Sequence, residues 1–414
     1  MSEMKLGECC LSISDGDHMP PPKATSGIPF LTISDINSNN HLDFSNTMFV
    51  PKEYWNRVDD KRKAHIGDVL LSVTGSYGVP VYIDFEKEFV FQRHISILKP
   101  NAELLSGRYL YYLFKNPTTK KMIDKLVTGA IQKTLGLDMI RNMSFDIPPV
   151  SEQDKITSIL SQIDDLIDNN TAICTDLESV AKLLYDYWFV QFDFPDENGR
   201  PYKSSGGKMV WNEELKREIP EGWGVKHLSD IAGLQQNAIF PTEGVEYNHY
   251  SIPAFDESKM PSLEEGGDIA SNKYVVPNGS ILVSKLNPQF KRIWLVLDPS
   301  NNAICSTEFL PVKAMDVGIY YLYSLLNTDA FSVHLKQKAS SSTGSRKRID
   351  PENVMSFPFA YNKRVARLFN EKTASLIQQT NQIPIENQQL ASLRDFLLPM
   401  LMNGQVKVGK EASS

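Results

Sequence analysis

The chain has 414 residues, 41% of them hydrophobic and 22% charged, in proportions that suit a soluble globular protein of two to three domains and exclude wholesale disorder or a collagen-like chain. No apolar run approaches the roughly 18 residues a membrane span needs, and Met1 to Cys10 contain no apolar signal core, so the expectation is a cytoplasmic protein with no membrane partner. Net charge is −7, and the four cysteines (Cys9, Cys10, Cys174 and Cys305) are too scattered for a disulfide framework or a zinc site.

In chain order, Gly67 to Thr74 and Phe89 to Leu98 are short apolar runs separated by turn-forming residues, as strands are. Tyr109 to Phe114 has helical character with an aromatic face that suits a core. Lys115 to Arg141 is a basic stretch of six cations against Asp124 and Asp138. Pro148-Pro149 then stops a strand, and Ser151 is placed to cap a helix.

That helix carries the strongest periodic signal. Ile156, Ile159, Ile163, Leu166, Asn170, Ile173, Leu177, Val180, Leu184 and Tyr187 alternate steps of three and four, and all but Asn170 are apolar. A coiled coil is predicted, with Asn170 at an a-type position fixing register. Residues 151–192 hold eight acids against two lysines, so the negative charge is concentrated there.

The second half repeats the first. At an offset of about 212 residues, Ile66 to Ser72 matches Asn278 to Ser284, Gly107 to Leu113 matches Gly318 to Ser324, Thr128-Gly129 matches Thr343-Gly344, and Met143-Ser144-Phe145 matches Met355-Ser356-Phe357. Lys5 to Glu8 pairs similarly with His227 to Asp230. Ala330 to Ile349, the counterpart of the first basic stretch, has five cations and no acid. A final helix follows, with Leu376, Ile383, Leu390 and Leu397 seven apart. Polar Thr380, Asn387 and Arg394 lie between them, and Pro384 is expected to kink or break it. Two helices, each following a globular unit, can pair antiparallel and hold the units apart.

Catalytic motifs are missing. Gly206-Gly207-Lys208 lacks the rest of a phosphate loop, and no dinucleotide fingerprint follows a strand. Ile147-Pro148-Pro149-Val150 and Asn287-Pro288-Gln289-Phe290 fall short of an adenine-methyltransferase loop. Asp15-Gly16-Asp17-His18 lacks the rest of a calcium loop, and no metal cluster is signalled.

The order of motifs resembles the specificity subunit of type I restriction–modification systems. Leu6-Gly7-Glu8, Ser14 to His18 and Pro20-Pro21-Pro22 resemble the opening of a target recognition domain. Ile147-Pro148-Pro149, Ser151-Glu152-Gln153 and Ile159-Leu160 resemble the junction into that family's central helix. Asn198 to Lys203 and Ile219 to Trp223 resemble its linker, and Leu393 to Pro399 with Asn403-Gly404 its closing helix. One departure is that Phe357-Pro358-Phe359-Ala360 lacks the Pro-Pro and Glu-Gln junction.

The resemblance implies an α+β fold: two pseudo-repeated mixed α/β target recognition domains separated by long antiparallel coiled-coil helices. The expected domains are 1–150 (first recognition domain), 151–205 (central helix and linker), 206–360 (second recognition domain), 361–406 (C-terminal helix) and 407–414 (tail). It implies a non-catalytic subunit in which each recognition domain reads one half of a split double-stranded DNA target. The helices would dock two methyltransferase subunits, and ATP-dependent restriction/translocase subunits could join. S-adenosylmethionine, ATP and Mg would belong to those partners, with no cofactor or metal on this chain.

Candidate DNA contacts in the first domain are His18, Arg93, His94, Lys120, Lys121 and the loop Thr128-Gly129-Ala130-Ile131-Gln132-Lys133. In the second they are Lys285, Asn287 and the loop Ser341-Ser342-Thr343-Gly344-Ser345-Arg346-Lys347-Arg348. Gln132 suits adenine, Arg93 suits guanine and the lysines suit phosphate. The rival readings are a stand-alone DNA methyltransferase or nuclease, and a coiled-coil scaffold that does not bind DNA.

Overall fold

The computed structural model describes residues 2–16, 21–37, 39–127, 134–343 and 346–406. The chain divides into two compact units, Met1–Leu166 with Leu390–Ser414, and Ile167–Gln389.

The first unit contains β1 (Ser2–Lys5), β2 (Cys10–Asp15), β3 (Ile28–Leu31), β4 (Met48–Val50), β5 (Val69–Ser72), β6 (Pro80–Tyr82), β7 (Val90–Phe91), β8 (Ile95–Pro100) and β9 (Ser144–Ile147), with helices α1 (Gly107–Lys115) and α2 (Pro117–Val127). Its main sheet is antiparallel in the order β2-β8-β5-β6. A smaller sheet, β4-β3-β7, pairs β3 and β7 in parallel, and β1 pairs with β9. The β5 run is apolar on both faces because both are covered. Val69 and Leu71 pack with Leu98 and Tyr109, whereas Leu70 packs with Leu31, Phe89 and Ile97.

After the long helix α3 (Val150–Tyr185), the second unit repeats this plan. Its strands include β10 (Gly224–His227), β11 (Ala232–Leu234), β12 (Glu246–Tyr250), β13 (Ser280–Ser284), β14 (Ile293–Val296), β15 (Ala303–Ser306), β16 (Phe309–Ala314), β17 (Ser340–Thr343), β18 (Arg346–Arg348) and β19 (Pro358–Tyr361). Helices α4 (Ile319–Leu326), α5 (Asp329–Lys338) and α6 (Lys363–Met402) complete it. The order β11-β16-β13-β14 corresponds to β2-β8-β5-β6, the parallel pair β12–β15 to β3–β7, and β10–β19 to β1–β9. The fold is therefore α+β, with two repeated mixed α/β units and long antiparallel helices.

A side-chain amide from a long helix anchors the aromatic helix in each unit. Gln153, fully buried, accepts the Ser106 N–H at 2.8 Å and donates to Leu104 O and Pro148 O. Asn370 accepts the N–H groups of Tyr320 at 3.0 Å and Tyr321 at 3.3 Å. This close approach explains the matching glycines. A Cβ on Gly107 would lie 1.9 Å from Gly67 O, and one on Gly318 2.0 Å from Asn370 Cγ.

Several sequence expectations need correction. The central helix starts at Val150, with Pro149 O accepting Glu152 N–H and Gln153 N–H, so Ser151 lies inside the first turn and is not the cap. The segment after the helix, expected as a linker, contributes to the second unit's core, where Phe192 and Phe194 lie with Tyr185, Trp188, Phe189 and Trp223. Helix α6 runs unbroken through Pro384. The carbonyl whose helical donor that proline removes, Thr380 O, is approached by Cys174 Sγ of α3 at 3.6 Å.

The heptad residues divide into two rows. Ile156 and Ile163 are buried and Asn170, Leu177 and Leu184 half-buried, but Leu166, Ile173 and Val180 are about half exposed and Tyr187 is 36% exposed. Ile159 is half-buried against the first core. Packing against one antiparallel neighbour and a domain core takes the a-type positions together with Leu160, Ile167, Cys174 and Ala181, and turns most d-type positions outward. On α6, Ile383 is buried, and Leu376, Leu390 and Leu397 are half-buried. Among the described residues no helix is long and apolar enough to cross a membrane.

Candidate nucleic-acid interface

In the first unit four connections meet at one end of the main sheet. Gly16 N–H donates to Ile95 O, Val73 N–H to His94 O and Leu135 N–H to Val73 O, at 2.8 to 3.0 Å. Thr74 and Thr134 form an isolated antiparallel bridge. Arg93, exposed, and His94, half-buried, form the turn between β7 and β8. Together with Asp15, Thr74 and Thr134 they line a cavity of about 270 Å³. The antiparallel register dictates this convergence, since Asp15 pairs with Ser96 and Ser72 with Ile95.

The second unit repeats three of these connections with different side chains. Lys285 N–H donates to Glu308 O at 2.8 Å, Ile349 N–H to Lys285 O at 3.1 Å, and Leu286 bridges Arg348. Thus Lys285 stands where Val73 stands, Glu308 where His94 stands and Arg348 where Thr134 stands. The basic segment expected as a loop is a hairpin in which Ser340 pairs with Arg348 and Ser341 with Lys347. Asn287 latches it. Its N–H donates to Lys347 O at 2.8 Å, and its side-chain oxygen accepts Lys347 N–H at 3.1 Å. Asn287 itself takes a left-handed φ of 50°.

His18, Thr128, Gly129, Gln132, Lys133, Gly344 and Ser345 lie outside the described residues, as do the side chains of Ser342, Thr343 and Arg346. The flanks that carry them, Gly16, Thr134 and the β17–β18 hairpin, are at the convergent ends. Lys121 is exposed on α2. Lys120 is engaged within the protein. Its ammonium lies 4.0 Å from the Tyr77 ring centroid and 3.0 Å from Asp124 Oδ1, and the Tyr77 hydroxyl donates to that same carboxylate, which raises the phenol's pKa. Lys347 is exposed.

Sequence reasoning missed two participants. Glu308 ion-pairs with Arg348 at 2.5 Å, and no local pattern around an isolated glutamate signals this. Phe290 is 55% exposed beside Asn287, with the Arg292 guanidinium over its ring. It was legible only as part of a turn.

Comparisons with known proteins agree with this repeat. Residues 3–179 match the type I restriction modification DNA specificity domain. The chain is 27% identical over 323 residues to the type I restriction enzyme MjaIX specificity subunit of Methanocaldococcus jannaschii, covering 73% of this chain and 69% of that one. It is 23% identical over 456 residues to the HindI specificity subunit of Haemophilus influenzae, covering 92% and 95%. In fold it is similar to the crystal structure of the type I restriction–modification S subunit from M. genitalium, with a TM-score of 0.59 at 15% identity over 97% of this chain and 95% of that one. Over most of its length the chain is therefore similar to the specificity subunits of type I restriction–modification systems.

Proposed function

We propose that each of the two units reads one half of a bipartite double-stranded DNA target, and that the long helices dock two methyltransferase subunits. The observation that carries this reading is the repeated backbone framework at the sheet ends. Identical hydrogen bonds hold different side chains in the two units, Arg93 and His94 in one, Glu308, Lys347 and Arg348 in the other. Two copies of one framework with different polar groups suit two different half-sites. Base edges are read by such directed donors and acceptors, while neighbouring cations meet phosphate.

In this reading the chain is a non-catalytic subunit. S-adenosylmethionine serves the methyltransferase subunits, and ATP with Mg serves restriction/translocase subunits that join them. The exposed row Leu166, Ile173, Val180 and Tyr187 is the surface we assign to the methyltransferase subunits, because an apolar row at heptad spacing suits a helical partner.

The test is reconstitution. The full chain alone is expected to give no methylation, cleavage or ATP hydrolysis, and adenine methylation at a two-part target is expected once methyltransferase subunits are added. Methyl transfer or a metal-dependent cut by the purified chain would favour a stand-alone enzyme. Failure to bind any duplex with its partners present would favour a scaffold.

A further inference from the structure

The second unit holds an ion pair where the first holds His94 and Thr134. We infer that Arg348, fixed by Glu308, is a base-reading group of the second unit and contacts guanine in the major groove rather than phosphate. The inference rests on the DNA-reading function proposed above, and it reassigns a residue that the sequence alone groups with Arg346 and Lys347 as a basic run.

Three observations point this way. First, Glu308 Oε1 lies 2.5 Å from Arg348 Nη2, so the local charge of the pair is close to neutral. A neutralised cation contributes little to counterion release, the term that drives phosphate binding. Second, the guanidinium keeps donors to spare, since it has five in a planar fork and the carboxylate engages one nitrogen. A fork held in one orientation suits the paired O6 and N7 acceptors of guanine. Third, the backbone beneath it is fixed. Arg348 bridges Leu286, Ile349 N–H donates to Lys285 O, and Asn287 holds Lys347 by two hydrogen bonds. Glu308 comes from the β15–β16 turn; its first oxygen is engaged by Arg348, and its second is buried without a partner among the described residues. Glu308 is a positioning residue, and Asn287 is a latch for the hairpin, with its side-chain oxygen already occupied.

Lys347 is the internal comparison. It is exposed and makes no ion pair among the described residues, as a phosphate contact would be expected to present itself.

The experiment selects duplexes from a randomised double-stranded DNA pool, using the full chain with its methyltransferase subunits, and measures affinity against salt. With wild type, one position of one half-site should require guanine. Arg348→Ala should flatten that position, by about 5- to 150-fold in preference, and Arg348→Lys, which loses the planar fork, should weaken it while leaving the salt slope unchanged. Glu308→Gln should loosen the same position while the freed charge strengthens binding to all duplexes and steepens the slope by up to about 0.9. Lys347→Ala should keep the preference and flatten the slope by about 0.9.

Arg348→Lys keeps a cation opposite Glu308, so it separates lost readout from a hairpin disturbed by an unpaired carboxylate. Full restoration of the preference by Arg348→Lys, or a flattened slope with intact preference in Arg348→Ala, would overturn the inference and leave the DNA-reading function standing. A preference untouched by Glu308→Gln would overturn it as well. A wild-type complex that selects no sequence would overturn the broader reading, and this one with it.

Discussion

Asp164 shows how one carboxylate can organise a helix contact. Within the first unit it accepts the Tyr112 hydroxyl at 2.6 Å and Arg394 Nη1 at 2.7 Å, with Lys115 Nζ at 3.7 Å. Burial alone would raise its pKa. Lys115, the Tyr112 hydrogen bond and Arg394 together outweigh burial and hold it below the ordinary 3.8. A depressed carboxylate contributes stability that is fully present above its unfolded value and is lost as pH falls through its folded one. Asp164→Asn is therefore expected to cost roughly 2 kcal/mol near pH 7, a buried-pair figure reduced because the pair is partly solvated. Wild type and variant should converge only below pH 3.8, where the carboxylate becomes protonated. Urea unfolding of both proteins across pH 2 to 7 checks this. A gap that stays constant into strong acid would show that the ionised carboxylate is not the source.

Paired helices make sense of residues that weakened the sequence pattern. Of Thr380, Asn387 and Arg394, which interrupt the apolar spacing of the last helix, the latter two meet polar side chains on α3, whereas the Thr380 hydroxyl donates to Ile377 O of its own helix. Within the second unit Asn387 Oδ1 accepts from Asn170 at 3.0 Å. Within the first, Arg394 meets Asp164. The interruptions specify register, a property of two helices that neither sequence shows alone. The opposite holds for the d-type row, whose spacing was legible but whose exposure depended on which neighbour the helix met. This row supplies an element-scale prediction. Ile173→Glu with Val180→Glu should shift stability by no more than about 0.5 kcal/mol per site, because both positions are about half exposed. The same pair should abolish co-purification with the methyltransferase subunits. Retained assembly would mean that those subunits dock elsewhere. An unfolding transition shifted well below wild type would mean that the row packs within the chain.

At the scale of the whole molecule, the repeat was the most legible feature. Its turn glycines, apolar runs and aromatic helices recur because the same covered sheet and close helix approach recur. The side chains we propose to read DNA were less legible, because Glu308 reaches Arg348 across 40 sequence positions. What the proposed function asks of the long helices can be tested without knowing the target in advance. Helices α3 and α6 have 36 and 40 residues, and the division between the two compact units crosses them at Leu166–Ile167 and Gln389–Leu390. Inserting one heptad at both places preserves the face each residue presents and adds roughly 10 Å of helix, about three base pairs of duplex. If the helices set the gap between half-sites, each half-site should keep its sequence while the gap grows by about three base pairs. Inserting three or four residues in one helix alone should instead set the Asn170–Asn387 and Asp164–Arg394 contacts out of register with one another and impair assembly. Methylation-site sequencing of cells carrying wild type or the heptad-extended chain reads the outcome directly. An extended chain that assembles and still methylates the original spacing would remove the helices from any role in measuring the gap.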